Sequence, residues 1–117
     1  MHIEAFREYC LRKKGVEETF PFDNDTLVFK VMGKMFSLIS LKEPDTCNLK
    51  CDPAYALELR ARYDSITPGF HMNKQHWNTV ALNADIPPKL ISELIDHSYD
   101  CVVKKLTRAQ QATLKNK

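Results

Sequence analysis

Glycine is scarce in this chain, with three in 117 residues, and that scarcity excludes several kinds of site. A loop that cradles phosphate needs glycines at fixed spacing. Gly15, Gly33 and Gly69 complete neither a P-loop, nor a dinucleotide fingerprint, nor a nucleophile elbow. Long apolar runs are missing too, and none approaches the roughly 20 residues of a membrane-crossing helix. Glu4, Arg7 and Glu8 interrupt the apolar residues near the N-terminus at helical spacing. No export leader is therefore expected, and the expected setting is the cytoplasm, without membrane contact. Charge of one sign is not in excess either. A net charge of +2 sets the chain apart from strongly basic nucleic-acid proteins.

What is present describes a folded domain. Hydrophobic content of 44% excludes the composition of a disordered chain, and 117 residues suit a single core. Cys10, Cys47, Cys51 and Cys101 are expected as reduced thiols. Cys47 and Cys51 have a spacing found in metal sites, but the segment reads as a strand. At strand rise the two thiols stand about 13 Å apart, while ligands of one zinc each sit about 2.3 Å from it. No metal and no cofactor is expected. From Val102 to Lys117 the chain carries Lys104, Lys105, Arg108, Lys115 and Lys117 and no acid, which reads first as a solvated basic segment.

Periodicity gives the elements. Residues 2–14 form an amphipathic helix with Ile3, Phe6 and Cys10 on one stripe, stopped by Gly15. Residues 16–25 read as a loop, broken by Pro21 and the Asp23-Asn24-Asp25 cluster. Residues 27–32 and 35–40 then flank Gly33-Lys34, a pair suited to a type II′ hairpin turn. That loop pairs Val31 with Phe36 and Phe29 with Leu38 on one buried face, and sets Lys30 opposite Ser37 on the other. A third strand covers 47–51. Asp52-Pro53 opens a helix to about residue 63, with Ala56, Leu59 and Tyr63 inward. Pro68-Gly69 marks a break, 76–82 has strand character, and Asp85 with Pro87-Pro88 introduces a helix carrying Ile91, Leu94, Ile95 and Val102 inward. Thr107 caps a last short basic helix. The expected class is α+β, an antiparallel sheet with helices packed on it.

Candidate sites are few. Asp96-His97-Ser98 holds the residue types of a triad, but neighbours on a helix point about 100° apart, so no proton relay is expected and no catalytic residue is assigned. The densest polar and aromatic cluster is 68–79. Lys74 and Asn73 are placed to grip a phosphate there, and Trp77 or His76 to stack on a base. The same residues suit a structural loop in which Trp77 fills the core and the amides cap backbone groups.

Five blocks in order carry a resemblance: Phe20-Pro21-Phe22; Leu27 to Val31 with Gly33-Lys34-Met35-Phe36; Asn48 to Pro53; Pro68 to Lys74 with His76-Trp77; and Ile95 to Tyr99. Together they resemble the MmcQ/YjbR family over residues 1–106, leaving 107–117 as a basic helix or tail. The resemblance implies a compact fold of sheet and helices, and DNA binding through a double wing. One wing would be the hairpin tipped by Gly33-Lys34, and the other the segment with Asn73-Lys74 and His76-Trp77. The expected function is weak, largely sequence-independent binding of nucleic acid, DNA first, without catalysis. Lys30, Lys34, Lys50 and Lys74 would meet phosphates, His71, Asn73, His76 and Trp77 would add polar and stacking contacts, and Lys104 and Lys105 would assist. The alternative is a module that holds a protein partner.

Overall fold

The computed structural model describes all 117 residues. Helix α1 (Ile3–Arg12) buries Phe6 and Cys10, as its apolar spacing requires. The chain then turns at Gly15, whose φ of 73° is left-handed. A Cβ there would stand 2.5 Å from Leu114 Cδ1, so the glycine both makes the turn and lets the last helix come close.

Residues expected as a loop begin with a strand, β1 (Val16–Thr19), which pairs antiparallel with β2 (Thr26–Val31). Its sequence, Val-Glu-Glu-Thr, has no apolar alternation. Its conformation comes from the hydrogen-bonding groups β2 offers, not from burial of its own side chains.

The hairpin of β2 and β3 (Lys34–Ser40) exists, but its turn is displaced by one residue. Met32 and Gly33 are the two central residues, with φ of 51° and 79°, and Val31 pairs with Lys34. Positive φ at both positions is a type I′ turn, in which glycine takes the second place. A bulge follows: Lys30 pairs with Met35 but Phe29 with Ser37, leaving Phe36 as the extra residue of β3. Phe36 and Ser37 therefore face the same way. Phe36 packs edge-on against Tyr99, and Ser37 Oγ accepts from Cys10 Sγ at 3.8 Å. The alternation resets beyond the bulge, which sends Leu38 to the opposite face with Val28 and Trp77. Phe29, Val31, Phe36 and Leu38 are all buried, as expected, but on two faces instead of one.

Strand β4 (Thr46–Lys50) leads through Asp52 into α2 (Pro53–Arg62), where the Asp52 carboxylate accepts from Tyr55 N at 3.1 Å. A three-residue strand, β5 (Ile66–Pro68), precedes β6 (Trp77–Ala81). The six strands form one antiparallel sheet in the order β1-β2-β3-β4-β6-β5. Helix α3 (Pro88–Lys104) crosses β3 and β4, and Thr107 and Gln110 cap α4 (Arg108–Lys115) reciprocally. Leu114 is buried against the main core, so α4 is part of the packed domain. The observed class is α+β. The helices cover one face of the sheet, and the other face stays open over the small cluster of Val28, Leu38 and Trp77.

Candidate nucleic-acid interface

Strand register decides which residues share an end of the sheet. Lys34 opens β3 at the hairpin turn, and Ser37 of β3 pairs with Leu49 of β4, so Lys50 ends β4 at the same end. Lys50 pairs with Trp77, which places the connection between β5 and β6 there as well. Both hairpin connections, 32–33 and 69–76, thus flank the C-terminus of β4. The last turn of α3 comes to this end too. Lys34, Lys50, Trp77, Cys101 and Lys105 line one hollow of about 340 Å³. An adjoining hollow of about 520 Å³ shares Lys50, Cys101 and Lys105 and adds His76, His97 and Lys104.

The electrostatics follow from that crowding. Burial, then the charges of Lys105 and Lys34, push the Lys50 ammonium below its ordinary pKa. Its Nζ stands 5.3 Å from the centre of the Trp77 ring, a cation–π contact that offsets part of the cost. The ion pairs of the molecule are Arg7–Glu18, Arg12–Glu8, Lys13–Asp96 and Lys42–Asp25, so Lys34, Lys50, Lys104 and Lys105 all lack one. Asp52 and Asp100 border the larger hollow.

Other expected residues are placed elsewhere. Lys30 lies on β2 opposite Glu17. The Lys74 ammonium donates to the Gly69 carbonyl at 3.0 Å, and Asn73 Oδ1 accepts from the backbone N–H groups of Gln75 and His76. These two shape the 69–76 connection. Trp77 is 3% exposed and fills the open-face cluster, which closes its ring to stacking from solvent. His71, at φ 59°, leans on Phe70 with ring centres 4.0 Å apart and faces the open side of the sheet.

Three residues that frame this end went unassigned in the sequence. Arg60 of α2 donates through Nε to Asn78 Oδ1 at 2.6 Å and through Nη2 to the carbonyls of Lys74 and Trp77, tying the 69–76 connection to the helix. Ser98 donates to the Lys50 carbonyl at 2.6 Å, fixing the end of β4 against α3. It stands four residues after Leu94 on the apolar stripe, so helical period places it inward. His97 Nε2 accepts from Asp52 N at 3.1 Å and lies 3.4 Å from Cys101 Sγ. Burial lowers its pKa, with Asp52 and Asp100 opposing. Asp96 meanwhile accepts from Tyr9 Oη at 2.7 Å and pairs with Lys13. Asp96, His97 and Ser98 therefore serve three separate contacts, as their helical spacing requires.

No helix is long and apolar enough to cross a membrane. Among proteins of known sequence, the chain is 38% identical to the uncharacterised YbdF of Escherichia coli O157:H7, over 92% of this chain and 89% of that one. It is 30% identical to the uncharacterised YjbR of Escherichia coli K12, over 97% and 98%. Among solved structures, Deinococcus radiodurans DR2400, which carries a DUF419 domain, superposes with a TM-score of 0.90 at 40% identity, over 97% of this chain and 88% of that one. A Pseudomonas syringae protein matches with a TM-score of 0.70 at 29% identity, over 84% and 96%. The YjbR family model spans residues 11–101, from the end of α1 to the Cys101 turn of α3, and so takes in the whole sheet and both hairpin connections. The chain belongs to the YjbR family.

Proposed function

We propose that this protein binds nucleic acid, duplex DNA first, by holding phosphates at the lysine-lined end of its sheet. The observation that carries the reading is the convergence of Lys34, Lys50, Lys104 and Lys105 around two joined hollows, none of them in an ion pair. The two wings, the β2–β3 turn and the 69–76 connection, stand on either side of that convergence and would follow the backbone of a duplex. Lysines on phosphates carry no base information, so binding is largely independent of sequence. The net charge of +2 keeps it weak. The protein acts here by binding and not by catalysis, which accords with the structural engagements of Asp96, His97 and Ser98. A cytoplasmic setting goes with this reading, since four free thiols persist where the medium is reducing.

The experiment is a titration of labelled duplex DNA and of RNA at several salt concentrations. Four phosphate contacts give a log–log slope of about −3.6, at about −0.9 per contact on a duplex. No binding to either nucleic acid at low salt below about 10⁻⁴ M, the weak end of non-specific affinity, would sink the reading. A protein partner held at the 68–79 segment then becomes the function to test.

A further inference from the structure

The open face of the sheet holds a separate hollow of about 640 Å³. Its floor runs across β3, β4 and β6 through Leu38, Asn48 and Thr79. Phe22, from the β1–β2 connection, stands on one rim, and Phe70, from the β5–β6 connection, on the other. These rings are 63% and 65% exposed, a high value for phenylalanine, and both border the same space. The β1–β2 and β5–β6 connections lie at opposite ends of the sheet, so the two rings bound the hollow diagonally across β3, β4 and β6.

The polar groups of the floor have a fixed sense. Phe70 N can only donate, and it reaches Thr79 Oγ1 at 2.9 Å, so the threonine oxygen accepts. In the structure the hydroxyl donates to Asn48 Oδ1 at 2.6 Å. The Asn48 Nδ2 group is left with two donors, no protein partner, and the hollow in front of it. No lysine or arginine lines this space, and Glu43 is its one carboxylate. His71 is the one basic side chain on the lining and Glu43 opposes an anion, so the Asn48 donors suit an uncharged acceptor better than a charged one. Volume, rims and floor all fall within what small-molecule sites use.

We infer that this hollow binds a flat, uncharged heteroaromatic molecule bearing a carbonyl group, with the carbonyl accepting from Asn48 Nδ2 and the ring lying against Phe70 and Phe22. The hollow shares no lysine with the lysine-lined end, and its Phe70 rim belongs to the 69–76 connection that flanks that end.

The test uses uracil, nicotinamide and lumichrome as probes, followed by saturation-transfer NMR on the full chain, with benzoate as the anionic control. At least one of the three binds with a Kd below about 1 mM and benzoate does not. Asn48→Asp retains the acceptor for Thr79 but loses both donors, and weakens that probe about tenfold. Phe70→Ala, at an exposed position, weakens it comparably without disturbing the fold. Lys50→Met leaves probe binding unchanged. If none of the three probes binds with a Kd below about 1 mM, or if Asn48→Asp or Phe70→Ala binds the probe as tightly as the unaltered chain, the inference is overturned.

Discussion

Replacing Lys50 by methionine should strengthen the fold and weaken the binding, and the two effects can be read separately. Lys50 is half-buried at the end of β4, between the charges of Lys34 and Lys105, with its ammonium over Trp77. Methionine keeps an unbranched stem against the indole and removes the charge. Burial and like charge disfavour the ammonium and outweigh the opposing influence of Cys101 and the cation–π contact. The expected gain is up to about 1 kcal/mol, the scale of a surface charge interaction. For a domain of this size that raises the thermal midpoint by up to about 4 °C. The pH dependence has a fixed sign. The folded pKa of Lys50 lies below the unfolded one, so around these values the unfolded chain holds more protons and wild-type stability rises with pH. The variant lacks that contribution. On the binding side, one phosphate contact fewer changes the salt slope from about −3.6 to about −2.7. Raising salt from about 50 to about 200 mM then weakens duplex binding about 150-fold in the wild type and about 40-fold in the variant. Fluorescence anisotropy with one labelled duplex measures both. An unchanged slope with intact folding would refute the phosphate role of Lys50, and a lowered midpoint would refute the account of its charge.

Three further outcomes follow from local geometry. Gly33→Ala should cost about 1 kcal/mol from its left-handed φ alone, since a Cβ there meets nothing, whereas Gly15→Ala should cost more because it also strikes Leu114; urea midpoints rank them, and equal costs would refute the close approach of α4. His97 has its folded pKa below the unfolded value, so its contribution is present above about pH 6.5 and is lost as pH falls through the folded pKa; His97→Gln should flatten the loss of thermal midpoint between about pH 7.5 and about pH 5.5, and an unchanged profile would refute it. Cys101 is the partly exposed thiol, while burial pushes Cys10 and Cys51 up to about 12 and Cys47 well above its ordinary value; a thiol-specific disulfide dye should modify Cys101 first in the folded protein and all four after unfolding.

Helices were legible in this sequence because each carries its own period and its own stop. Phe6 and Cys10 on α1, Asp52 before α2, the Ile91–Ile95 stripe of α3 and the Thr107 cap of α4 are local signals, and each is met within a residue or two. The sheet was legible only where strands have apolar alternation. β1 lacks it, and β5 is three residues long, so both depend on a neighbour distant in sequence. The hairpin was found but misregistered, because Met32 gives no sign that it will take a left-handed φ and because a bulge is a property of the pair of strands. At the candidate interface, lysines could be nominated by charge, yet their grouping depends on register. Lys34, Lys50, Lys104 and Lys105 converge, while Lys74 and Asn73, more conspicuous in sequence, stay exposed and bond to the backbone of their own loop.

The two outermost strands bear on how copies of this chain meet. An unpaired strand is a template on which another molecule can add its own, extending one sheet into the next. On one side of this sheet the template is β1, only four residues long, whose Glu17 and Arg7-paired Glu18 are charged side chains that an added strand would have to desolvate. On the other side it is β5, three residues ending in Pro68, which has no N–H to offer an incoming strand. Growth by strand addition is hindered at both margins, so copies of the chain can be packed close without their sheets fusing.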